Sequence, residues 1–295
     1  MKIFLRIFIS IVIAAGMFAA QQMGLANIGW DDIFPPEPVE MPEDSSFSAE
    51  FIDVGEGDCA LVKCDGHYML IDGGSAEQSS LIYTKLKNDG IKHLDCIVAT
   101  HPDADHVGGL SGALNYASVD TAYCNTDTRD TRSFNNFVKY LAKQGKKITI
   151  PDAGDSFELG SAQVTVLGPE RGVTYSDNTS LVIRIVYGNT SFLFMGDSEY
   201  DDEQQLIASG CELKSTVIKV GHHGSRSSSS KAFLDKVKPK YAVISVGKDN
   251  PYGHPKSEVL ERLEKLGAEI YRTDINGNIK CFSDGNVVSF EKTGN

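Results

Sequence analysis

The chain has 295 residues, 41% apolar and 23% charged, a balance that fits a globular fold and excludes collagen, coiled coil and wholesale disorder. Its 28 Lys and Arg against 40 Asp and Glu give a net charge of −12. Taken as one number, that charge opposes a phosphate-bearing partner, because such partners are held largely by Lys and Arg.

The charge is unevenly spread. Lys2 and Arg6 precede a run over 7–20 that is apolar apart from Ser10, and no further charge comes before Asp31. A basic start and an apolar core are the order of a secretory signal, with small residues for cleavage at Gly24-Leu25-Ala26 or within 16–20. The competing reading is an uncleaved anchor, since 7–30 is uncharged and a helix of roughly 20 residues spans a bilayer. Residues 1–26 are therefore read as signal peptide or membrane anchor, and the location as secreted or extracytoplasmic. Contact with a membrane is expected only through this segment if it stays uncleaved, and no protein partner is predicted. Residues 27–46 read as an acidic linker extended by Pro35, Pro36, Pro38 and Pro42, too poor in apolar surface to pack.

From residue 47 to 293 the pattern is that of one domain. Strands are predicted at 48–53, 59–64, 68–72, 96–100, 122–125, 147–150, 163–167, 180–186, 191–195, 216–220, 241–246, 269–272 and 278–283, from short β-rich runs ended by Gly or Asp. Helices are predicted at 79–89, 106–117, 133–144, 201–209, 230–237 and 256–266. Hairpin-like pairs mixed with helices give an α/β fold class, two packed sheets with helices outside. The six cysteines permit disulfides in an exported chain without requiring them. Cys59 and Cys64, five apart on one strand, point to opposite faces and should not pair. Cys96 reads as a core thiol.

Chemistry-bearing residues gather at strand ends. His101-Pro102-Asp103-Ala104-Asp105-His106 follows an apolar strand and precedes Val107-Gly108-Gly109-Leu110. Four metal-capable side chains in six positions repel one another or stay unpaired unless a cation gathers them. The strand at 191–195 delivers Gly196-Asp197. Asp177-Asn178 lies before it, and His222-His223-Gly224-Ser225 ends a later β-branched strand. The hydroxyl-rich loop 221–230, with Ser225 and Arg226, offers donors for a phosphate or is a Ser-rich surface turn. His254, between Gly253 and Pro255, is a candidate acid, phosphate ligand or structural residue.

In this order the residues resemble the metallo-β-lactamase superfamily, and more narrowly the metallo-β-lactamase-like domain of ComEC-type competence proteins. The matching stretches are Phe51-Ile52-Asp53-Val54-Gly55-Glu56-Gly57-Asp58, Leu70-Ile71-Asp72-Gly73-Gly74, 100–110, Met195-Gly196-Asp197, 219–225 and Tyr252-Gly253-His254-Pro255. The resemblance implies a single αββα sandwich with two metal ions at the sheet edge. It implies His101 and Asp103, with Asn178 as a further and weak ligand, on one metal, Asp105 and His106 on the other, and Asp197 bridging. A late His completes the second site, His222 or His223, and the other faces substrate. Of the two, His223 is expected as the ligand and His222 as substrate-facing, with Asp72 structural beneath the metal loop. Asp105, Asp197, His222 and His254 are the expected catalytic residues. His222, Ser225, Arg226 and His254 are the expected substrate contacts.

Two departures bear on the metal: Asp103 stands where the superfamily pattern has His, and Asn178 where another His ligand is expected. Both make the first site richer in oxygen, which moves selectivity toward manganese while zinc stays open. Such a pair activates water for phosphodiester cleavage, so the expected function is an exported nuclease acting on DNA in the manner of a competence protein, with the chain holding the catalytic-type domain alone. The alternatives are a cell-wall or lipid phosphodiesterase of the choline phosphate ester type, and a non-catalytic DNA-binding or scaffold module. The net charge no longer opposes a polyanion, because the segment 211–256 carries nine bases against three acids.

Overall fold

The computed structural model describes residues 46–174 and 179–294. The signal or anchor reading of 1–26, the linker apart from Ser46, and Asn178 lie outside the described residues. In chain order the strands are β1 (Phe47–Phe51), β2 (Ala60–Cys64), β3 (His67–Ile71), β4 (His93–Ala99), β5 (Ser118–Cys124), β6 (Ile148–Thr149), β7 (Ser156–Leu159) and β8 (Ala162–Gly168). They continue as β9 (Val182–Tyr187), β10 (Thr190–Phe194), β11 (Val217–Lys219), β12 (Tyr241–Ile244), β13 (Glu269–Arg272), β14 (Ile279–Ser283) and β15 (Val288–Lys292). The helices are α1 (Ser79–Asn88), α2 (Ala104–Val107), α3 (Leu110–Tyr116), α4 (Arg132–Lys143), α5 (Tyr200–Ser209), α6 (Lys231–Val237), α7 (Ser257–Lys265) and α8 (Thr273–Asn276).

One sheet runs β15-β14-β1-β2-β3-β4-β5-β6 and the other β13-β12-β11-β10-β9-β8-β7. Because side chains alternate across a strand, each sheet feeds two apolar layers. Met69 and Val98 of the first sheet meet Ile185 and Phe192 of the second in a core between the sheets. Their neighbours Leu70 and Ile97 turn the other way, onto Ile82, Leu110 and Phe134 of α1, α3 and α4. Leu193 and Ile218 do the same in the second sheet against Leu206, Phe233 and Leu263 of α5, α6 and α7. These three layers are the αββα sandwich expected from the sequence. Strands buried on both faces read as continuous apolar runs, which is why β4 and β10 were legible.

Parallel pairing of β3, β4 and β5 and of β10, β11 and β12 sends their carboxyl ends to one edge of each sheet. Loops beyond such ends are where α/β folds place ligands. The expected helix 106–117 is two short helices, α2 and α3, broken at Gly108-Gly109. There the chain presses on the loop after β3, with Gly109 N donating to Gly74 O at 3.0 Å. A side chain at Gly109 would collide with the Gly73 carbonyl. The strands β7 and β15 and helix α8 carried no readable sequence signal. β7 and β15 each lie at the edge of a sheet and leave most side chains at least partly in solvent, so the apolar alternation is lost. All six cysteines are free thiols. Cys64 packs between the sheets and Cys59 under the helices, on opposite faces as expected. Among the described residues no helix is long and apolar enough to cross a membrane.

Candidate metal centre

The site begins with a carboxylate that no solvent reaches. Asp72 follows β3, and its two oxygens accept from Thr100 N and Thr100 Oγ1 at 2.8 Å each. That ties the end of β3 to the end of β4, where the loop 101–106 starts. Asp72 Oδ2 also accepts from His106 Nδ1 at 2.9 Å, which leaves Nε2 of that ring bare and fixes where it points.

His106 Nε2 faces Asp197 Oδ1 at 3.3 Å and Asp105 Oδ2 at 3.9 Å. His223 Nε2 lies 3.5 Å from both Asp105 Oδ2 and Asp197 Oδ2. The ligand atoms of Asp105, His106, Asp197 and His223 all fall within 4.8 Å of one another. Asp197 Oδ1, His106 Nε2 and His223 Nε2 are buried and make no hydrogen bond. Each such orphan costs about 1–3 kcal/mol, so three converging on one point fit a cation as their missing partner.

Backbone geometry delivers these groups. Gly196 turns with φ 51° after β10, where a Cβ would strike Ser180 and Thr100, and Asp197 N then donates to Ser180 Oγ at 3.0 Å. His222 and His223 are both left-handed, with φ 46° and 51°. Such conformations cost about 1–3 kcal/mol each in residues other than glycine and cluster at functional sites. Of the two histidines whose roles the sequence left open, His223 is the buried one in the cluster. Its Nδ1 donates to Ser245 O at 2.9 Å and lies 3.3 Å from Asp58 Oδ1. His222 sits at the rim, with Nδ1 3.1 Å from Glu199 Oε1 and Nε2 3.7 Å from Asp197 Oδ2.

Charge balance inside the cluster is strongly biased. Burial raises the Asp197 carboxyl, but the His223 and His106 rings beside it hold it well below the usual range. Burial lowers His106, yet Asp197 and Asp72 push it well above the ordinary imidazole value. In His223 the same opposition, with Asp197 and Asp105 as partners, also ends well above it.

His101 and Asp103 stand beside the four-residue cluster and outside it. The His101 ring is 4.1 Å from that of His106, and its Nε2 is 4.0 Å from Asp103 Oδ2. Burial and the His106 charge bring His101 down to about 3, so it is a neutral ring. Burial raises the Asp103 carboxyl, while Arg129 at 3.3 Å opposes the rise.

The hydroxyl-rich loop, read from composition as a phosphate cradle or a surface turn, is held by hydrogen bonds of its own. Ser228 Oγ donates to Gly221 O at 2.7 Å, and Ser225 Oγ lies 2.9 Å from Ser227 Oγ. Ser229 N and Ser230 N donate to Glu203, and Arg262 Nη1 donates to the Ser228 and Ser229 carbonyls. Arg226 makes an exposed ion pair with Glu258 of α7 at 2.8 Å. His254 does reach the rim, its ring 5.7 Å from that of His222. Burial, with His222 and His223 beside it, lowers His254 to about 4, which makes it an uncharged hydrogen-bonding group at neutral pH and not a stored proton.

Sequence reasoning missed Asp58, Lys219 and Glu199 as site residues. Lys219 Nζ lies 2.6 Å from Asp58 Oδ2, both nearly sealed from solvent. The available signal was a lysine inside the apolar strand Val217-Ile218-Lys219-Val220, since a buried ammonium requires a carboxylate partner.

A sequence profile described as the Metallo-beta-lactamase superfamily matches residues 52–248. Among curated proteins, "ComE operon protein 3" of Bacillus subtilis is 31% identical, covering 83% of this chain and 34% of its own length. "Competence protein ComA" of Neisseria gonorrhoeae is 30% identical over 82% of this chain and 33% of its own. "Recombination protein 2" of Haemophilus influenzae is 32% identical over 80% and 29%. The chain thus spans about a third of the length of these relatives. Among solved structures, the metallo-β-lactamase fold protein YhfI from Bacillus subtilis aligns with TM-score 0.51 at 15% identity, over 76% of this chain and 96% of that one. CmlA, a diiron β-hydroxylase from Streptomyces venezuelae, aligns with TM-score 0.52 at 15% identity, over 79% and 53%. At such identities the likeness is one of fold.

Proposed function

The chain belongs to the metallo-β-lactamase superfamily, and from that premise we propose that it is a metal-dependent phosphodiester hydrolase acting on DNA outside the cytoplasm. The observation that carries this reading is the convergence of His106 Nε2, Asp197 Oδ1 and His223 Nε2, buried and without hydrogen bonds, beside the Asp105 carboxylate. Asp105, His106, Asp197 and His223 would hold one divalent ion. His101 and Asp103, with Asp197 shared, would hold a second. The oxygen share of this donor set suits manganese, and its imidazoles suit zinc. When bound, such ions supply Lewis-acid stabilisation of charge on phosphoryl oxygens and acidify a water.

The chain's own residues do the orienting. Asp72 holds a proton on His106 Nδ1, and the Ser245 carbonyl does the same for His223, so both rings would offer Nε2 lone pairs to an ion that displaces the second proton favoured there by the neighbouring carboxylates. Glu199 holds His222 by Nδ1, which turns Nε2 toward the Asp197 side of the site, placed to hydrogen-bond a phosphoryl oxygen or hand a proton to the departing one. His254 adds a neutral ring at the same rim.

DNA is favoured because the curated relatives carry names from competence and recombination, and the segment 211–256 is locally basic. Action outside the cytoplasm, as in DNA uptake, rests on the basic and apolar start of the chain. The test is incubation of purified protein with single- and double-stranded DNA under added Mn²⁺ or Zn²⁺. Cleavage that is lost in Asp197→Asn supports the reading. DNA left intact under both metals removes it.

A further inference from the structure

Two tyrosines are exposed among the described residues, Tyr252 at 62% and Tyr200 at 55%, and Tyr252 ends a line of ring contacts through the rim of the site. The Tyr252 ring stacks on His254 at 5.7 Å with 24° between planes, and His254 in turn meets His222 at 5.7 Å. His222 is held by Glu199, the neighbour of Tyr200, and Tyr200 N donates to Ser227 O at 2.8 Å. Tyr is enriched at interfaces, where its ring packs and its hydroxyl stays wet.

The loop that carries Tyr252 is braced. Asn250 spans it, its amide donating to His254 O at 2.8 Å and its oxygen accepting from His254 N at 2.9 Å. Lys256 Nζ donates to Tyr252 O at 2.6 Å. The ring therefore needs little ordering when a ligand lands on it. Lys248 and Lys256 flank it in the same loop against Asp249 and are the cations a polyanionic chain would meet there, while Glu56 faces His254 at 3.9 Å and Glu199 faces His222 at 3.1 Å from the inner side.

We infer that Tyr252 is a stacking platform for an unpaired nucleobase, continuing the His222–His254–Tyr252 series of rings outward so that a single-stranded nucleic acid is held with its backbone at the metal centre. A paired duplex hides its base faces, so this surface selects single strands or frayed ends. Stacking tolerates any base, because every base has a π-face. The inference rests on the nuclease reading and names the form of substrate that reading takes.

The test compares cleavage of a single-stranded oligodeoxynucleotide with that of an abasic strand of the same length, in Mn²⁺, for the wild type, Tyr252→Ala and Tyr252→Phe. The wild type should prefer the base-bearing strand. Tyr252→Ala should reduce that preference by roughly 5- to 150-fold, the range of one lost base stack, and Tyr252→Phe should retain it. Equal preference in wild type and Tyr252→Ala overturns the inference, as does its loss in Tyr252→Phe, which would assign the effect to the hydroxyl. Quenching of a 2-aminopurine strand, measured in parallel, separates the two levels of failure. If no DNA is cleaved but quenching depends on Tyr252, the nuclease reading falls and the stacking site stands. If quenching is absent, the stacking site falls whether or not DNA is cut. Hydrolysis of a phosphorylcholine ester that Tyr252→Ala abolishes, with DNA cleavage unchanged, reassigns the ring to a cationic headgroup and also overturns the inference.

Discussion

Lys219 sets its ammonium 2.6 Å from Asp58, with side-chain exposures of 3% and 7%, behind the cluster of Asp105, His106, Asp197 and His223. The other Asp58 oxygen lies 3.3 Å from His223 Nδ1, and Lys219 spends a further proton on Val220 O at 2.8 Å. Burial raises the Asp58 carboxyl, but Lys219 and His223 bring it below its ordinary value. A pair this dry adds little net stability over an apolar replacement. Its evident work is to fix a negative charge behind one imidazole, as Asp72 does behind His106.

Breaking the pair from one side should be costly. Lys219→Met leaves the Asp58 carboxylate buried beside His223 with its main counter-charge gone, an expected loss of about 3–5 kcal/mol. The double variant Lys219→Met with Asp58→Asn should recover part of that loss. Urea denaturation of the three proteins measures it, and a single variant no worse than the double would show that the charges are not coupled.

Asp72→Asn keeps an oxygen for His106 Nδ1 and removes the charge behind it. Loss of a carboxylate partner behind a ligating imidazole typically costs 10–100-fold in metal affinity. Calorimetric titration of the metal-stripped chain with Mn²⁺ or Zn²⁺ should show that drop. Unchanged affinity would mean that His106 does not hold the ion.

The cluster's orphaned atoms also predict that metal stabilises the fold. A divalent ion at about 100 times its dissociation constant should add about 2.7 kcal/mol to unfolding free energy, seen as a rise in melting temperature that a chelator reverses. Asp197→Asn should respond far less. A wild-type melting temperature indifferent to metal and chelator counts against a bound ion and for a scaffold role.

The layers and the cluster were readable in the sequence for different reasons. Strands such as β4 and β10 are buried on both faces and announce themselves as apolar runs ended by His101 or Asp197. The edge strands β7 and β15 bury one side weakly and stayed hidden. Asp105, His106 and Asp197 were legible because carboxylates and imidazoles crowd at strand ends. The choice between His222 and His223 was not, since it depends on two consecutive left-handed residues that turn one ring inward and the other to the rim. The roles of Asp58 and Glu199 were equally hidden, because each meets its histidine only across the fold, 165 and 23 positions away. For the loop 221–230 composition left a phosphate cradle and a surface turn both open, since it does not show that the serines hydrogen-bond within the loop or that Arg226 pairs with Glu258.

That bracing makes a pH prediction outside the metal centre. Glu203 on α5 is buried, and burial raises its carboxyl to about 7, against the Ser229 and Ser230 amides and the Arg262 charge that favour the anion. The unfolded chain releases this proton near 4.5, so between those values the native state binds one proton more than the unfolded state. Stability from this group is therefore full below about pH 4.5, falls by about 1.4 kcal/mol per pH unit as pH rises toward 7, and is level above that. The total loss is about 3 kcal/mol. Glu203→Gln cannot titrate, although its NH2 cannot accept from the Ser229 or Ser230 amide as both carboxyl oxygens do. Whatever constant cost that mismatch adds, the difference in unfolding free energy between wild type and variant should shift by up to that amount in the variant's favour between pH 4.5 and pH 8. Parallel pH profiles for the two proteins would show that the amides of the serine loop hold Glu203 ionised throughout, and that the loop beside His222 is braced by a charge and not by a neutral acid.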